Sequence, residues 1–348
     1  MRLAYYAGHH GRGHVTRAAA VLAHVRAEAT LFTSAEPPPL PDGVACVRLP
    51  PDDPEAGSGG AERVSPEPFH YAPVGHGGVR QRMAQIAAWA AEGPGALVAD
   101  VSVEVATLGR LLSLPVVIVR QHGARWDGPH RTAYGLAERL LAPFPPSLEE
   151  PDAPAWVREK TAYVGGFSRF DGRPAPPRSR GARRVVVLGG GGAGGAASGR
   201  AWGPGDLAAA ARATPRWRWT VLGAATPPGS PDTLEGAGWV ADPWTHLASA
   251  SVVVATAGHN AVMEAAAAGR PLVVVPEPRP FDEQARKAAA LDRIGAAVAC
   301  PRWPEPAAWP ALLDRALGCD TAPLRALADG GGAARAAAVL DDVARGAG

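Results

Sequence analysis

GWVADPWTHLASASVVVATAGHNAVMEAAAAGRPLVVVPEPRPFDEQARKAAALDRIGAA, residues 238–297, alternates short β-branched runs with alanine-rich segments. SVVVAT (251–256) and RPLVVVP (270–276) have the length and composition of buried strands, and 259–268 and 282–294 have those of helices. Strand, helix, strand in this order implies a parallel sheet covered by helices on both faces. Ala257 and Gly258 break the chain after Thr256, and a helix starts near His259. The free N–H groups of that helix start form an anion site. Glu264 lies in its first turns, within reach of a ribose whose phosphates sit at the helix end. Asp282, Glu283 and Gln284 leave the next strand as hydroxyl-binding side chains, suited to a sugar rather than to an apolar ligand.

The same alternation extends in both directions. Strands are expected at 183–189, 217–223 and 238–240 with a helix at 206–213. In the first half they are expected at 2–7, 29–34, 45–50, 96–101 and 115–121, with helices at 16–28 and 79–92. FDGRPAPPRSRGAR (170–183) is rich in proline, glycine and arginine and reads as a hinge. Residues 50–68 read as a surface loop within the first half. The expected fold is α/β, with two doubly wound Rossmann-like domains facing each other across a cleft. The expected limits are 1–168 for the first domain, 169–183 for the linker and 184–330 for the second. A C-terminal helix (331–348) can pack back on the first domain. The cleft between the carboxyl ends of the two sheets is the default ligand site.

Composition excludes several classes. The 348 residues carry a formal charge of +2, which argues against nucleic acid as the main partner. Lysine is nearly absent beside abundant alanine, glycine, proline and arginine, as in a GC-rich genome, so glycine and proline signals are discounted. Cys46, Cys300 and Cys319 have neither CxxC nor metal-ligand spacing, which suits a reducing cytoplasm. Neither a signal peptide nor a bilayer-spanning run is evident, so a cytoplasmic location is expected.

With these residues in view, the chain resembles the GT-B glycosyltransferases, in particular the peptidoglycan UDP-N-acetylglucosaminyltransferase type and related UDP-sugar transferases. The shared elements are Trp239–Val240, TAGHNAVME (256–264) and DEQ (282–284). The resemblance implies that the Trp239–Val240 pair, through the Val240 backbone, reads the nucleobase and that Glu264 binds the ribose hydroxyls. It also implies that Gly258, His259 and Asn260 hold the diphosphate, and that Asp282, Glu283 and Gln284 hold the sugar. GGGGAGGAASG (189–199) stands where the family has a second phosphate-facing loop, so Gly190, Gly191 and Gly192 join the diphosphate set; a plain glycine linker is the alternative. Many members have histidine in place of Thr256 and serine or threonine in place of Ala261, which leaves more of the work to the helix N-terminus.

In the first half, ALVADVSVEVATLGRLLSLPVVIV (96–119) resembles the family's buried strand ending in an aspartate, here Asp100. That aspartate partners a histidine base from the first loop, here GHHGRGH (8–14) with His14, followed by Arg17. The run GRGHVTR (11–17) also resembles UDP-sugar hydrolases of the pseudaminic acid pathway. An imidazole at the sugar's anomeric carbon can take a proton at neutral pH while a carboxylate fixes its tautomer. His9, His10, Arg12 and His122 are acceptor-side candidates. Retaining members of the fold carry a glutamate ahead of the helical one, where this chain has Thr256. The expected activity is therefore inverting transfer from a nucleotide-diphosphate sugar, UDP- or dTDP-linked, to a small-molecule or lipid-linked acceptor. No metal and no cofactor are expected. Peripheral membrane contact and the oligomeric state stay open, and so do two alternatives: a nucleotide-sugar hydrolase using water, and a non-catalytic nucleotide-sugar-binding auxiliary protein.

Overall fold

A computed structural model describes residues 1–8, 13–52, 67–177, 181, 183–189 and 201–347. The first half runs β1 (Arg2–Ala7), α1 (Gly13–Leu22), β2 (Glu28–Thr33), β3 (Ala45–Arg48), α2 (Gly77–Ala91) and β4 (Ala96–Asp100). It continues with α3 (Val103–Leu111), β5 (Val116–Val119), α4 (Gly128–Leu136), β6 (Arg139–Ala142), α5 (Ala155–Lys160) and β7 (Thr161–Tyr163). The second half runs β8 (Arg184–Leu188), α6 (Pro204–Ala213), β9 (Arg218–Leu222), β10 (Leu234–Gly236), α7 (Trp244–Ser249) and β11 (Val252–Ala255). Then come α8 (His259–Ala268), β12 (Leu272–Val274), α9 (Glu283–Arg293), β13 (Val298–Ala299), α10 (Trp309–Gly318), α11 (Ala322–Arg325) and α12 (Gly332–Arg345).

The strands form two sheets, ordered β3-β2-β1-β4-β5-β6-β7 and β10-β9-β8-β11-β12-β13, with neighbouring strands parallel. Central strands such as β4 and β11 are buried along their whole length, which is why they read as unbroken apolar runs rather than alternating ones. Chain order reverses between β1 and β4 in the first sheet and between β8 and β11 in the second. At such switch points the loops leaving neighbouring strands part and open a crevice. The register Ala7↔Asp100 puts the last residue of β4 beside the end of β1, where the chain turns toward His14. Ala255↔Leu188 does the same for the break before α8.

Two expected elements shift. The helix expected at 16–28 is α1, which ends at Leu22 because the chain must turn back into the sheet by Glu28. The strand expected at 238–240 is instead β10 at 234–236. Gly238 takes φ +62° and leads Trp239 and Val240 off the sheet. Strands β6, β7 and β13 lie outside the expected runs.

The two halves also share their cores. Ala142, Phe144, Leu148 and Phe170 pack into the cluster built on Val262, Met263 and Leu291 of the second half. Ala336, Ala337 and Leu340 of α12 pack with Leu3, Tyr5 and Val15 of the first. Among the described residues, no helix is long and apolar enough to cross a membrane.

Candidate active site

At the first switch point three side chains converge on one buried carboxylate. Asp100 is 1% exposed. Arg17 grips it bidentately, Nη2 to Oδ1 at 2.5 Å and Nε to Oδ2 at 3.0 Å, as its place one turn after His14 on α1 allows. Tyr5 donates its hydroxyl to Oδ2 at 3.2 Å, and His14 Nδ1 stands 2.9 Å from Oδ1. Burial alone would raise the Asp100 carboxyl, but Arg17 and His14 hold it below the usual carboxylate range. Burial and the adjacent Asp100 push the Tyr5 phenol well up, so it keeps its proton and donates it to Asp100. An ionised Asp100 has no proton to give. The hydrogen between it and His14 therefore sits on Nδ1, and Nε2 keeps its lone pair. Arg17 is part of the quoted first-loop run, but its role is visible only once the register joins α1 to β4.

Across the cleft, Gly258 precedes α8 with no side-chain cap, leaving the first-turn N–H groups to the cleft. A Cβ on Gly13 would lie 3.9 Å from Asn260 Nδ2, so the starts of α1 and α8 face each other. A small cavity between them is lined by Thr16, Arg17, Phe167, Arg169, Asn260 and Glu264. Glu264 is buried, and Arg169, which sequence reading missed, pairs with it at 2.9 Å and also donates to the Ala241 carbonyl. Burial raises the Glu264 carboxyl, with Arg169 opposing. Trp239 is 68% exposed and Val240 half-buried. His259 has Nε2 buried without a partner, and burial first, then Lys287, Arg17 and His122, pushes its ring well below the usual imidazole value.

The DEQ run divides three ways. Asp282 is exposed and, like Phe281, has left-handed backbone (φ +54° and +61°). Glu283 crosses the cleft to Arg125 Nη2 at 3.0 Å, a clasp sequence reading did not find. Gln284 is buried, and its Oε1 accepts from the N–H groups of Ala257 and Glu277 at 3.2 and 2.9 Å. It thus braces the two strand-exit loops, and its amide nitrogen is what remains for a ligand.

Of the acceptor-side candidates, His9, His10 and Arg12 lie outside the described residues, as do Gly190, Gly191 and Gly192. His122, the described acceptor-side candidate, lies inside the protein. It is 4% exposed, stacked on Phe144 at 4.3 Å between ring centres, with Nδ1 3.3 Å from Glu150. The β5–α4 loop carries it inward because Glu150 also accepts from the Gly123 N–H at 3.0 Å. Close by, His70, Asp127 and His130 bring ligand-type atoms within 4.8 Å of one another. Arg125 donates to His130 Nε2 at 3.3 Å, so the Nδ1 facing Asp127 at 2.6 Å carries the proton and offers no lone pair to a cation.

Residues 242–302 match the glycosyltransferase family 28 C-terminal domain. A 70-residue segment is 44% identical to the UDP-N-acetylglucosamine--N-acetylmuramyl-(pentapeptide) pyrophosphoryl-undecaprenol N-acetylglucosamine transferase of Methylorubrum extorquens (strain PA1). That segment spans 20% of this chain and 19% of the relative's own length. Among solved structures, the glycotransferase of kitacinnamycin superposes with a TM-score of 0.70 at 16% identity, covering 99% of both chains. MurG of Acinetobacter baumannii gives 0.63 at 16% identity over 98% of this chain and 99% of its own. CalG4, the calicheamicin glycosyltransferase, gives 0.63 at 20% identity over 99% and 98%. The fold is that of the GT-B glycosyltransferases, as the sequence resemblance implied.

Proposed function

We propose that the chain is an inverting, metal-independent glycosyltransferase that moves a sugar from a UDP-sugar donor to a small-molecule or lipid-linked acceptor. The observation that carries this reading is the His14–Asp100–Arg17 set standing opposite the open N-terminus of α8. A diphosphate at α8 meets unpaired N–H groups and the positive end of the helix dipole, which stabilise it as a leaving group without a metal. The sugar carbon then lies toward α1. His14 Nε2 takes the proton of the acceptor hydroxyl while that oxygen attacks C1 and the C1–O bond to diphosphate breaks, inverting the centre. Asp100 holds the ring in the competent tautomer and stabilises the imidazolium, and Arg17 keeps Asp100 ionised. Glu264 is the ribose ligand, exchanging part of its bond with Arg169 for the ribose hydroxyls. The acceptor enters over the carboxyl ends of β4 and β5, where Ser102, Gln121, His130 and Tyr134 line a second cavity.

The experiment is incubation of the purified protein with UDP-sugars, with and without an acceptor panel. Transfer dependent on acceptor is expected, and free sugar released without acceptor identifies hydrolysis instead. His14→Ala is expected to abolish turnover with UDP affinity held within a few-fold, whereas Glu264→Ala weakens UDP binding. Loss of UDP binding in His14→Ala removes that residue as the base.

A further inference from the structure

Phe281 and Asp282 stand in succession on left-handed backbone, at φ +61° and +54°, which residues other than glycine keep only where their surroundings enforce it. The ring contacts of Phe281 come from the other domain. Among the described residues its ring meets that of His130 at 4.8 Å between centres and that of His70 at 5.4 Å, and the Arg125 guanidinium carbon lies 4.8 Å from its centre. Its carbonyl accepts from the Ala124 N–H at 2.7 Å. The socket is braced within the first domain. Asp127, the N-cap of α4, accepts from the His130 N–H at 3.0 Å and faces His130 Nδ1 at 2.6 Å, both through Oδ1, while its Oδ2 faces His70 Nε2 at 2.9 Å. The two imidazoles so held lie 4.6 Å apart. Glu104 fixes the chain at His70, accepting from the His70 and Tyr71 N–H groups at 2.9 Å each. Burial pushes the His130 imidazole down to about 4, so at neutral pH it offers Phe281 an uncharged ring.

We propose that Phe281 is a positioning residue for the donor sugar: seated between His70 and His130, it fixes the turn that brings Asp282 and Gln284 to the cleft, so the sugar side of the site is completed by the first domain. The assignment rests on the reading of residues 282–284 as the sugar-facing run. Backbone strain in two successive residues is relieved once the ring leaves its socket, so the turn relaxes rather than holding its shape alone. Ligand-binding side chains have to be held within about 0.5 Å of their productive places, a tolerance that such a relaxation exceeds. The nucleotide half of the donor falls to Val240 and Glu264, neither of which touches the socket rings. Breaking the socket therefore weakens recognition of the sugar and spares that of the nucleotide.

Titration calorimetry with UDP, UDP-glucose and UDP-N-acetylglucosamine separates the two halves of the donor. For whichever UDP-sugar the wild type binds, Phe281→Ala should raise its Kd fivefold or more, with the Kd of UDP held within twofold. His70→Ala, at an exposed residue of the opposite domain, should reproduce that selective loss, and it decides the matter if Phe281→Ala does not fold. The double variant should lose no more than Phe281→Ala alone, because both changes act through one socket. Equal losses for UDP and the UDP-sugar, no loss for either, or losses that multiply in the double variant overturn the positioning role. A wild type that binds UDP but neither UDP-sugar overturns it as well. Failure to bind any of the three defeats the UDP-donor reading instead, and dTDP with dTDP-glucose then takes their place in the same comparison; binding of neither set overturns both.

Discussion

Asp100 concentrates the chemistry of the first domain in one carboxylate. Replacing it by asparagine preserves shape but strands the buried Arg17 guanidinium and lets an amide N–H face His14 Nδ1, which inverts the ring's tautomer. Asp100→Asn should lose about 3–5 kcal/mol of stability by urea denaturation and roughly 10⁴-fold in turnover. Because the wild-type carboxyl is held below its ordinary value, its contribution is complete above the carboxylate range and is lost as pH falls through that lowered value. The stability gap between wild type and variant should thus be constant near neutrality and close on acidification below about pH 4; a gap that widens instead removes Asp100 as an anionic anchor. Asp100 was legible because it ends a recognisable strand, and His14 as its partner because the glycine-rich first loop leads into α1 as the family resemblance implies. Arg17 was legible only as part of a motif, since the destination of a long side chain depends on strand register.

At the scale of elements, the loop before α4 and the turn before α9 hold one another. Gly123 has φ +116°, and a Cβ there would stand 2.7 Å from the Phe281 carbonyl oxygen, to which the Ala124 N–H donates at 2.7 Å. That close approach seats Arg125 over the Phe281 ring at 4.8 Å and against Glu283. Gly123→Ala therefore meets both a backbone and a steric penalty, and should destabilise by at least about 1–3 kcal/mol. It should also raise KM for the donor more than Arg125→Lys does, since the substitution displaces the turn that leads into Gln284. A KM unchanged by Gly123→Ala separates this contact from donor binding. The contact was invisible in the sequence. Only the apposition of two distant turns explains the glycine of RQHGARWDG (120–128). The long apolar strands and the helix after Gly258 were legible because burial on both faces and a glycine break are local signals. The displaced β10 shows the limit: GWV has strand composition, but Gly238 adopts a backbone that ends pairing.

For the whole molecule, chain order and core membership do not coincide, and this sets its cooperativity. Gly166 sits at the crossing. Its N–H donates to the Leu327 carbonyl at 2.6 Å, and a Cβ would stand 2.1 Å from Met263 Sδ. From there the chain's last helix returns to the first domain, where the buried Asp341 on α12 accepts from the Arg26 and Ala27 N–H groups ahead of β2, each at 3.1 Å. Neither core is complete without residues from the other half, so far-UV circular dichroism and tryptophan fluorescence should report one coincident urea transition rather than two. Asp341→Ala removes the acceptor of two backbone donors, that of Ala27 buried, and should lower that single midpoint by the equivalent of about 1–3 kcal/mol. Because Asp341 is remote from α8 and α9 in contact terms, UDP affinity measured well below the transition should be unchanged. A variant in which fluorescence of the Trp217, Trp219 and Trp309 cluster in the second domain survives to higher urea than the helical signal would show that the domains unfold separately, and that α12 straps only the first.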